Sequence, residues 1–208
     1  MTIKKKVAIV DYGVGNLKSL KNCVDSLDFD NKIIDNPRQL INYDIIILPG
    51  VGSFKSAMDT INSLGWSQEI LENVINKKKN ILGICLGMQI LLTQGHEFGE
   101  TNGLNLISGN VESLKKLGCN ELIPHIGWNE VSVKKENILF KNIKYDSSFY
   151  FVNSYACKLT DKSQEIGFTD YGVNFTSVFN NQNIFGTQFH PEKSSKAGRQ
   201  LLNNFLYA

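Results

Sequence analysis

The chain has 208 residues, of which 42% are hydrophobic and 20% are charged, and its formal net charge is +2. This length and composition suit one globular α/β domain, and we expect residues 1–208 to form a single domain. The lysines are scattered in short runs without interleaved aromatic residues, so the charge pattern predicts no nucleic-acid partner. No apolar stretch approaches the ~20 residues of a membrane span or the ~7–15 residues of a secretory leader, and we expect no membrane association.

The cysteines of the chain show no metal-site or disulfide spacing. Cys23, Cys85, Cys119 and Cys157 form no CxxC pair and no regular framework. Such usage is typical of a reduced protein, and we expect a cytoplasmic location. The turn at residues 13–15 (GVG) lacks the rest of a GxGxxG dinucleotide fingerprint. We therefore expect neither a cofactor nor a metal.

The first half of the chain alternates between short apolar runs and amphipathic patterns. Strand-like runs occupy residues 6–11, 32–34, 44–48 and 81–84, and helical patterns occupy residues 17–27, 56–64 and 68–78. Alternation of this kind predicts a largely parallel sheet with helices on both faces.

The pattern changes after about residue 100. Strand-like segments at residues 104–114, 128–133, 148–158, 175–180 and 184–189 follow one another closely, with turn residues between them. Their spacing predicts antiparallel pairing, followed by a final helix that Ser194 or Ser195 caps. The predicted fold is therefore α/β, with a mixed, largely parallel central sheet flanked by helices and an antiparallel C-terminal extension.

The strongest local signal for chemistry surrounds Cys85. A buried strand runs into this cysteine and a helical pattern with apolar Met88, Leu91 and Leu92 leaves it, while Gly83 and Gly87 stand two places either side. This arrangement is a nucleophile elbow with sulfur in place of a hydroxyl, in which glycines permit a sharp turn. The helix N-terminus favours the thiolate, which is the form that attacks, so we predict that Cys85 is a nucleophile.

A cysteine nucleophile needs a base, and the chain has three histidines. His96 lies in a predicted loop and His125 at the entrance to a strand, where a structural role is expected. His190 follows a strand at the predicted sheet edge and precedes Pro191 and Glu192. Glu192 is placed to accept a hydrogen bond from the imidazole, which predicts a nucleophile, base and orienting carboxylate in the order Cys85, His190, Glu192.

Acyl chemistry also needs donors for a developing oxyanion. The segment at residues 49–52 (PGVG) follows a strand, so it should lie at the same sheet edge as Cys85. One of its backbone N–H groups, together with the N–H of Leu86, is predicted to form the oxyanion hole.

Taken together, these segments resemble the class I glutamine amidotransferases, which have a flavodoxin-like fold. The resemblance is closest to the glutaminase subunits of imidazole glycerol phosphate synthases. It rests on residues 11–16 (DYGVGN), 49–52 (PGVG), 83–89 (GICLGMQ), 124–129 (PHIGWN), 149–155 (FYFVNSY) and 185–194 (FGTQFHPEKS).

The resemblance implies a glutaminase that makes glutamate and ammonia through a glutamyl thioester on Cys85. His190 would activate the thiol and protonate the ammonia, and Glu192 would orient the imidazole. Val51 and Gly52 match the family's oxyanion strand.

The resemblance also implies how substrate and partner bind. Gln89 and Glu97 match positions that hold L-glutamine, and the backbone of Ser154 and Tyr155 matches a segment that contacts its amino-acid end. Asn16 matches the face that touches a (β/α)₈-barrel cyclase subunit in a heterodimer. That partner uses the ammonia to make imidazole glycerol phosphate in histidine biosynthesis.

One position departs from the family, which usually has histidine where this chain has Asn153. Asparagine forms hydrogen bonds but does not titrate.

Three other interpretations stay open at this point. A paralogous glutaminase would supply ammonia for nucleotide-linked or surface-sugar amidation. A cysteine hydrolase or peptidase on a similar fold would keep Cys85 and His190 but would not need Gln89. A non-enzymatic module would be expected to lack a member of the triad.

Overall fold

The first half of the chain forms the parallel part of a central sheet in the computed structural model, which describes residues 5–208. Its strands are β1 (Lys6–Val10), β2 (Asp30–Ile34), β3 (Ile45–Gly50) and β4 (Asn80–Cys85). They lie side by side in the order β2-β1-β3-β4, and every neighbouring pair is parallel. Parallel strands buried on both faces read as continuous apolar runs, which explains the run at residues 45–48.

The second half adds mostly antiparallel strands. In chain order these are β5 (Leu92–Gly95), β6 (Thr101–Asn102), β7 (Ile107–Ser113), β8 (His125–Glu130), β9 (Ser132–Val133), β10 (Ser148–Asn153), β11 (Tyr155–Leu159), β12 (Glu165–Asp170), β13 (Asn174–Asn181) and β14 (Ile184–Thr187). The last strand, β14, returns beside β4 in parallel, and from it the sheet continues as β14-β13-β11-β7-β5-β6. Strands β8 and β10 form a separate antiparallel ribbon. The return of β14 places the end of the chain's last strand next to Cys85.

Helices cover both faces of the sheet. They are α1 (Leu17–Asp25), α2 (Phe54–Ser63), α3 (Trp66–Leu71), α4 (Leu86–Ile90) and α5 (Ser195–Leu206). A π-helical turn at Glu72–Asn76 extends α3, and short 3₁₀ turns lie at Pro37–Asn42, Ile138–Phe140, Lys162–Gln164 and Pro191–Lys193. Within residues 5–208, no helix is both long enough and apolar enough to cross a membrane.

Two apolar cores lie on opposite faces of the sheet. Successive residues of β1 point to opposite sides, so Ala8 and Val10 join the core under α2 and α3, whereas Val7 and Ile9 join the core under α1 and α5. The sheet is therefore sandwiched between helices, and the predicted fold class is confirmed.

Some elements differ from the prediction. The helix that leaves Cys85 ends at Ile90, because Leu92 begins β5. Strand β12 was not predicted, and its ladder with β13 is irregular around Gly167, which interrupts the alternation that marks a strand. The expected cap of α5 is also wrong: Ser194 occupies the N-cap position without a side-chain capping bond. The single-domain assignment of residues 1–208, of which residues 1–4 lie outside the described range, stays a prediction.

Candidate active site

Cys85 stands at the sharp turn between β4 and α4. Its φ is +55°, a left-handed conformation that is unusual for a residue with a side chain. The turn is possible because two neighbouring residues lack a Cβ atom. A Cβ on Gly87 would lie 1.7 Å from the Leu48 carbonyl oxygen, and one on Gly83 would lie 2.6 Å from the Gly87 carbonyl oxygen. The glycines on either side of Cys85 thus allow strand and helix to approach closely enough to project the cysteine from the sheet edge.

The predicted oxyanion loop lies at the same edge. In the parallel pairing of β3 and β4, Gly50 is level with Cys85. Val51 and Gly52 follow at the surface, and Gly52 has a φ of +100°. Both residues line the same cavity as Cys85 and Leu86. The carboxyl ends of adjacent parallel strands have brought the two segments together, as expected from the sheet.

A cavity of about 260 Å³ opens beside Cys85 and collects most of the predicted site. Its lining residues are Val51, Gly52, Cys85, Leu86, Gln89, Glu97, Pro124, Val152, Asn153, Ser154 and Tyr155. A larger cavity of about 700 Å³ lies around residues 131–149, but none of the predicted site residues lines it. The smaller cavity is therefore the candidate substrate site.

His190 and Glu192 lie in the segment that follows β14, where His190 is near enough to Cys85 to be affected by its side chain. His190 Nδ1 is 2.9 Å from Glu192 Oε1, and both side chains are 4% exposed. Ser194 fixes this turn, because its hydroxyl donates to the His190 carbonyl oxygen at 2.6 Å and accepts from the Tyr150 N–H at 2.9 Å. These two bonds explain why Ser194 does not cap α5.

The charge environment of His190 favours the imidazolium. Burial by itself lowers the pKa of His190, but the neighbouring side chains of Cys85 and Glu192 outweigh it and raise the pKa to about 10. Its Nε2 atom is buried and has no close hydrogen-bond partner within residues 5–208. Catalytic hydrogen bonds are often long before substrate binds, so this geometry is compatible with a proton passing between His190 and the reacting groups.

A chain of side-chain amides reaches the sulfur from the other side. Gln188 is fully buried, and its Nε2 atom lies 3.8 Å from Cys85 Sγ. Its Oε1 atom accepts a hydrogen bond from Gln89 Nε2 at 3.1 Å. Gln89 also donates to the Tyr155 carbonyl oxygen at 3.0 Å. Sequence reasoning missed Gln188. A usable signal was present, because a polar residue inside an otherwise apolar strand run is seldom buried without a role.

The remaining predicted residues divide between the cavity and the surface. Glu97 accepts a hydrogen bond from the Phe54 N–H at 2.7 Å, so the start of α2 orients its carboxylate at the cavity. Asn16 is exposed at the start of α1, outside the cavity, where its side chain accepts from the Ser19 N–H. His125 packs between the rings of Phe151 and Tyr171. His96 pairs with Glu112 at 2.8 Å and does not line the cavity.

The sequence matches the family described as "Glutamine amidotransferase class-I" over residues 8–208. Among curated relatives, "Imidazole glycerol phosphate synthase subunit HisH" of Leptospira borgpetersenii is 43% identical over 96% of this chain and 98% of the relative. The protein of the same name from Methanocaldococcus jannaschii is also 43% identical, with the same coverage.

Solved structures show the same fold at lower identity. A structure described as PurLQS from Thermotoga maritima superposes with a TM-score of 0.76 at 18% identity and covers 99% of both chains. A putative GMP synthase protein from Thermoplasma acidophilum gives a TM-score of 0.74 at 20% identity, covering 100% of this chain and 94% of the other. With the family match spanning nearly all of the sequence, the chain belongs to the class I glutamine amidotransferases.

Proposed function

We propose that this glutamine amidotransferase is the glutaminase subunit of an imidazole glycerol phosphate synthase. The observation that carries the proposal is the arrangement around Cys85. This residue stands at a glycine-flanked elbow beside a cavity of substrate size. His190, which Glu192 orients, is close enough to Cys85 for the two side chains to interact. Relatives at 43% identity carry the name of that subunit, which supports the choice of pathway. A peptidase would have no use for the glutamine-sized cavity with Gln89 in its wall.

In the first half-reaction, the Cys85 thiolate attacks the side-chain carboxamide carbon of glutamine. The electrons of the C=O bond move to oxygen, and the proposed donors for this oxyanion are the N–H groups of Leu86 and of Val51 or Gly52. The intermediate then collapses, the C–N bond breaks, and nitrogen takes the proton of the His190 imidazolium. Ammonia leaves and a glutamyl thioester remains on Cys85.

In the second half-reaction, neutral His190 removes a proton from water as its oxygen attacks the thioester carbon. The C–S bond breaks, which restores the thiolate beside the imidazolium and releases glutamate. The bond from Glu192 to Nδ1 keeps the ring oriented through both proton transfers. A histidine with a pKa near 10 is protonated at neutral pH, as the first step requires.

The cavity offers glutamine both charge and hydrogen bonds. Glu97 uses one oxygen for the Phe54 N–H, and the carboxylate is proposed to attract the α-ammonium group of the substrate. Gln89 spends its amide hydrogens on Gln188 and Tyr155, which leaves its Oε1 atom to face the substrate. The segment of Ser154 and Tyr155 forms the neighbouring wall.

The proposed partner is a (β/α)₈-barrel cyclase that receives the ammonia, joined as a heterodimer. Exposed apolar side chains near the cavity mouth support a docking surface there. Val51 is 41% exposed, Ile126 is 60% exposed and Trp128 is 53% exposed. Asn16 is proposed to lie at the rim of this surface.

The proposed location is the cytoplasm. All four cysteines are free thiols in the structure, which supports a reducing environment.

The test measures glutamate formation from glutamine by the wild-type chain, alone and with the barrel protein that copurifies from the native host. We expect a low rate alone and a higher rate in the complex, and we expect Cys85→Ala to abolish hydrolysis in both. The control is Cys23→Ala, a half-buried thiol outside the cavity, which should keep wild-type activity. Hydrolysis by Cys85→Ala would overturn the assignment of the nucleophile. Copurification with a sugar-pathway barrel would redirect the choice of acceptor.

A further inference from the structure

Two neighbouring residues at the cavity wall each carry a buried polar atom without a partner. Among residues 5–208, the buried atoms His125 Nδ1 and Asn153 Oδ1 have no hydrogen-bond partner. The two residues are directly opposite each other in the β8–β10 ribbon. Directly opposed residues of an antiparallel pair point to the same face, with Cβ atoms roughly 4.5–5.5 Å apart. The two side chains therefore share one face of the ribbon.

The Asn153 atom is an acceptor. Its amide nitrogen Nδ2 donates to the Tyr155 carbonyl oxygen at 3.1 Å. A carbonyl oxygen only accepts hydrogen bonds, so this contact fixes which end of the amide is nitrogen. Oδ1 is thereby left as a buried acceptor, in a residue that is 6% exposed and lines the cavity.

The His125 atom is a donor. Asn129 Oδ1 accepts from the Glu130 N–H at 2.8 Å and Asn129 Nδ2 donates to the Asp170 carbonyl oxygen at 2.9 Å, which fixes the orientation of this amide. The group of Asn129 that faces His125 Nε2 at 3.4 Å is therefore an N–H donor. Nε2 must accept, so the proton of the neutral ring is on Nδ1. Burial lowers the pKa of His125, which favours the neutral ring.

The two residues follow directly on residues that lie at the proposed nucleophile or line its cavity. The carbonyl oxygen of Val152, the residue before Asn153, is 3.9 Å from Cys85 Sγ. Pro124, the residue before His125, lines the cavity together with Asn153. Stacking on Tyr171 at 4.0 Å and on Phe151 at 4.9 Å holds the imidazole in place.

We propose that His125 Nδ1 and Asn153 Oδ1 together bind the neutral ammonia molecule released at Cys85, before it leaves for the partner. Ammonia has one lone pair and three N–H bonds, so it accepts from Nδ1–H and donates to Oδ1. An ammonium ion has no lone pair and would leave the His125 donor unpaired, which costs free energy in a buried place. The site thus retains the nucleophilic form. This inference rests on the proposed glutaminase function.

The experiment uses the complex of this chain with its barrel partner, supplied with glutamine and acceptor. Glutamate formed and ammonia escaping into solution are measured together, and their ratio gives the leaked fraction. Asn153→Leu removes the acceptor with little change in size, and His125→Phe keeps the ring stacking but removes the donor. We expect each to raise the leaked fraction by roughly two- to tenfold, the factor that one hydrogen bond represents. Both side chains are proposed to contact the same ammonia molecule. The leaked fraction of the double variant should therefore be no larger than the two single effects combined.

The matched control is Asn73→Leu, outside the cavity. Asn73 is also fully buried, also donates Nδ2 to a backbone carbonyl and also has an unpaired Oδ1, so its loss reproduces the effect on packing alone. If Asn153→Leu does not fold, Asn153→His preserves a hydrogen-bonding group and should leak less than His125→Phe. An unchanged leaked fraction in both His125→Phe and a folded Asn153 variant, with glutamate still formed, would mean a water site only and would overturn the inference. No glutamate from the wild type would overturn the proposed function instead.

Discussion

The two walls that meet at Cys85 are built in different ways. On the elbow side, β3, β4 and α4 approach through backbone alone, and glycines make room for one chain against another. On the opposite side, the site is reached by side chains: the amide of Asn153 at the end of β10, and the amide of Gln188 and the imidazole of His190 in the segment that follows β14. There Gln188 contacts Gln89 from 99 residues away in the sequence. The shape of this site rests on glycines that are visible at fixed spacing in the sequence, whereas its polarity depends on side chains whose pairing the spacing does not show.

The largest expected effect concerns the polar wall. Glu192→Gln keeps a side chain of the same size but removes the charge that helps to raise the pKa of His190. We expect glutamine hydrolysis to fall by about 10²–10⁴-fold, the contribution typical of a positioned general acid and base such as His190. Steady-state glutamate formation measures this. Glu136→Gln, an exposed residue outside the cavity, is the control, and a Glu192→Gln enzyme within twofold of it would refute the role of the carboxylate.

The next prediction concerns the backbone wall. Gly87→Ala puts a methyl group where the Leu48 carbonyl oxygen now lies, 1.7 Å from the ideal Cβ position, so β3 or α4 must move. We expect a loss of about 3 kcal/mol or more in the free energy of unfolding, measured by denaturant titration. Gly65→Ala is the matched comparison: its φ is +80° but nothing lies within 4 Å, so only the left-handed backbone cost of ~1–2 kcal/mol applies. Equal losses for the two variants would show that close approach is not what requires glycine at position 87.

The third prediction tests the coupling across the two walls by pH. In the wild type, NMR titration of the histidine rings should show His190 protonated up to about pH 10. In Cys85→Ala the sulfur's contribution disappears, and we expect the pKa of His190 to fall by about 1–3 pH units. Because the folded pKa exceeds the ~6.5 of an unfolded chain, this stabilisation is complete below pH ~6.5 and is lost as the pH rises through about 10. A wild-type His190 that titrates near pH 6.5 would contradict it.

The difference between the walls also explains what the sequence could predict. The parallel strands, the elbow at Cys85 and the loop at residues 49–52 are encoded by short apolar runs and by glycines at fixed spacing, and the structure has them where expected. The amide chain through Gln188 was missed, because spacing along the chain does not reveal which buried amide faces which partner. Ser194 was assigned to the wrong bond for the same reason: its hydroxyl is used by Tyr150, 44 residues earlier.

The smallest expected effect concerns Gln188. Its amide points at Cys85 Sγ from 3.8 Å, and Gln89 holds its other end, so the donor cannot turn away without breaking a buried bond. A donor aimed at the sulfur stabilises negative charge on it, so Gln188→Leu should make Cys85 react more slowly with an alkylating reagent. We expect alkylation of Cys85 by iodoacetamide at pH 7 to slow by about tenfold, the factor for one such bond.

Peptide mass spectrometry separates Cys85 from the other three cysteines in that experiment. Gln200→Leu is the control, because Gln200 lies on α5 outside the cavity and its amide donates to Asn204 of the same helix at 2.8 Å. If alkylation is unchanged in Gln188→Leu, the role of Gln188 is to position Gln89 and not to act on the sulfur. In that case the variant should bind glutamine more weakly. The two outcomes therefore distinguish an electrostatic effect of Gln188 on Cys85 from an effect on the shape of the cavity. Slower alkylation together with unchanged binding of glutamine would assign the long-range amide to the chemistry.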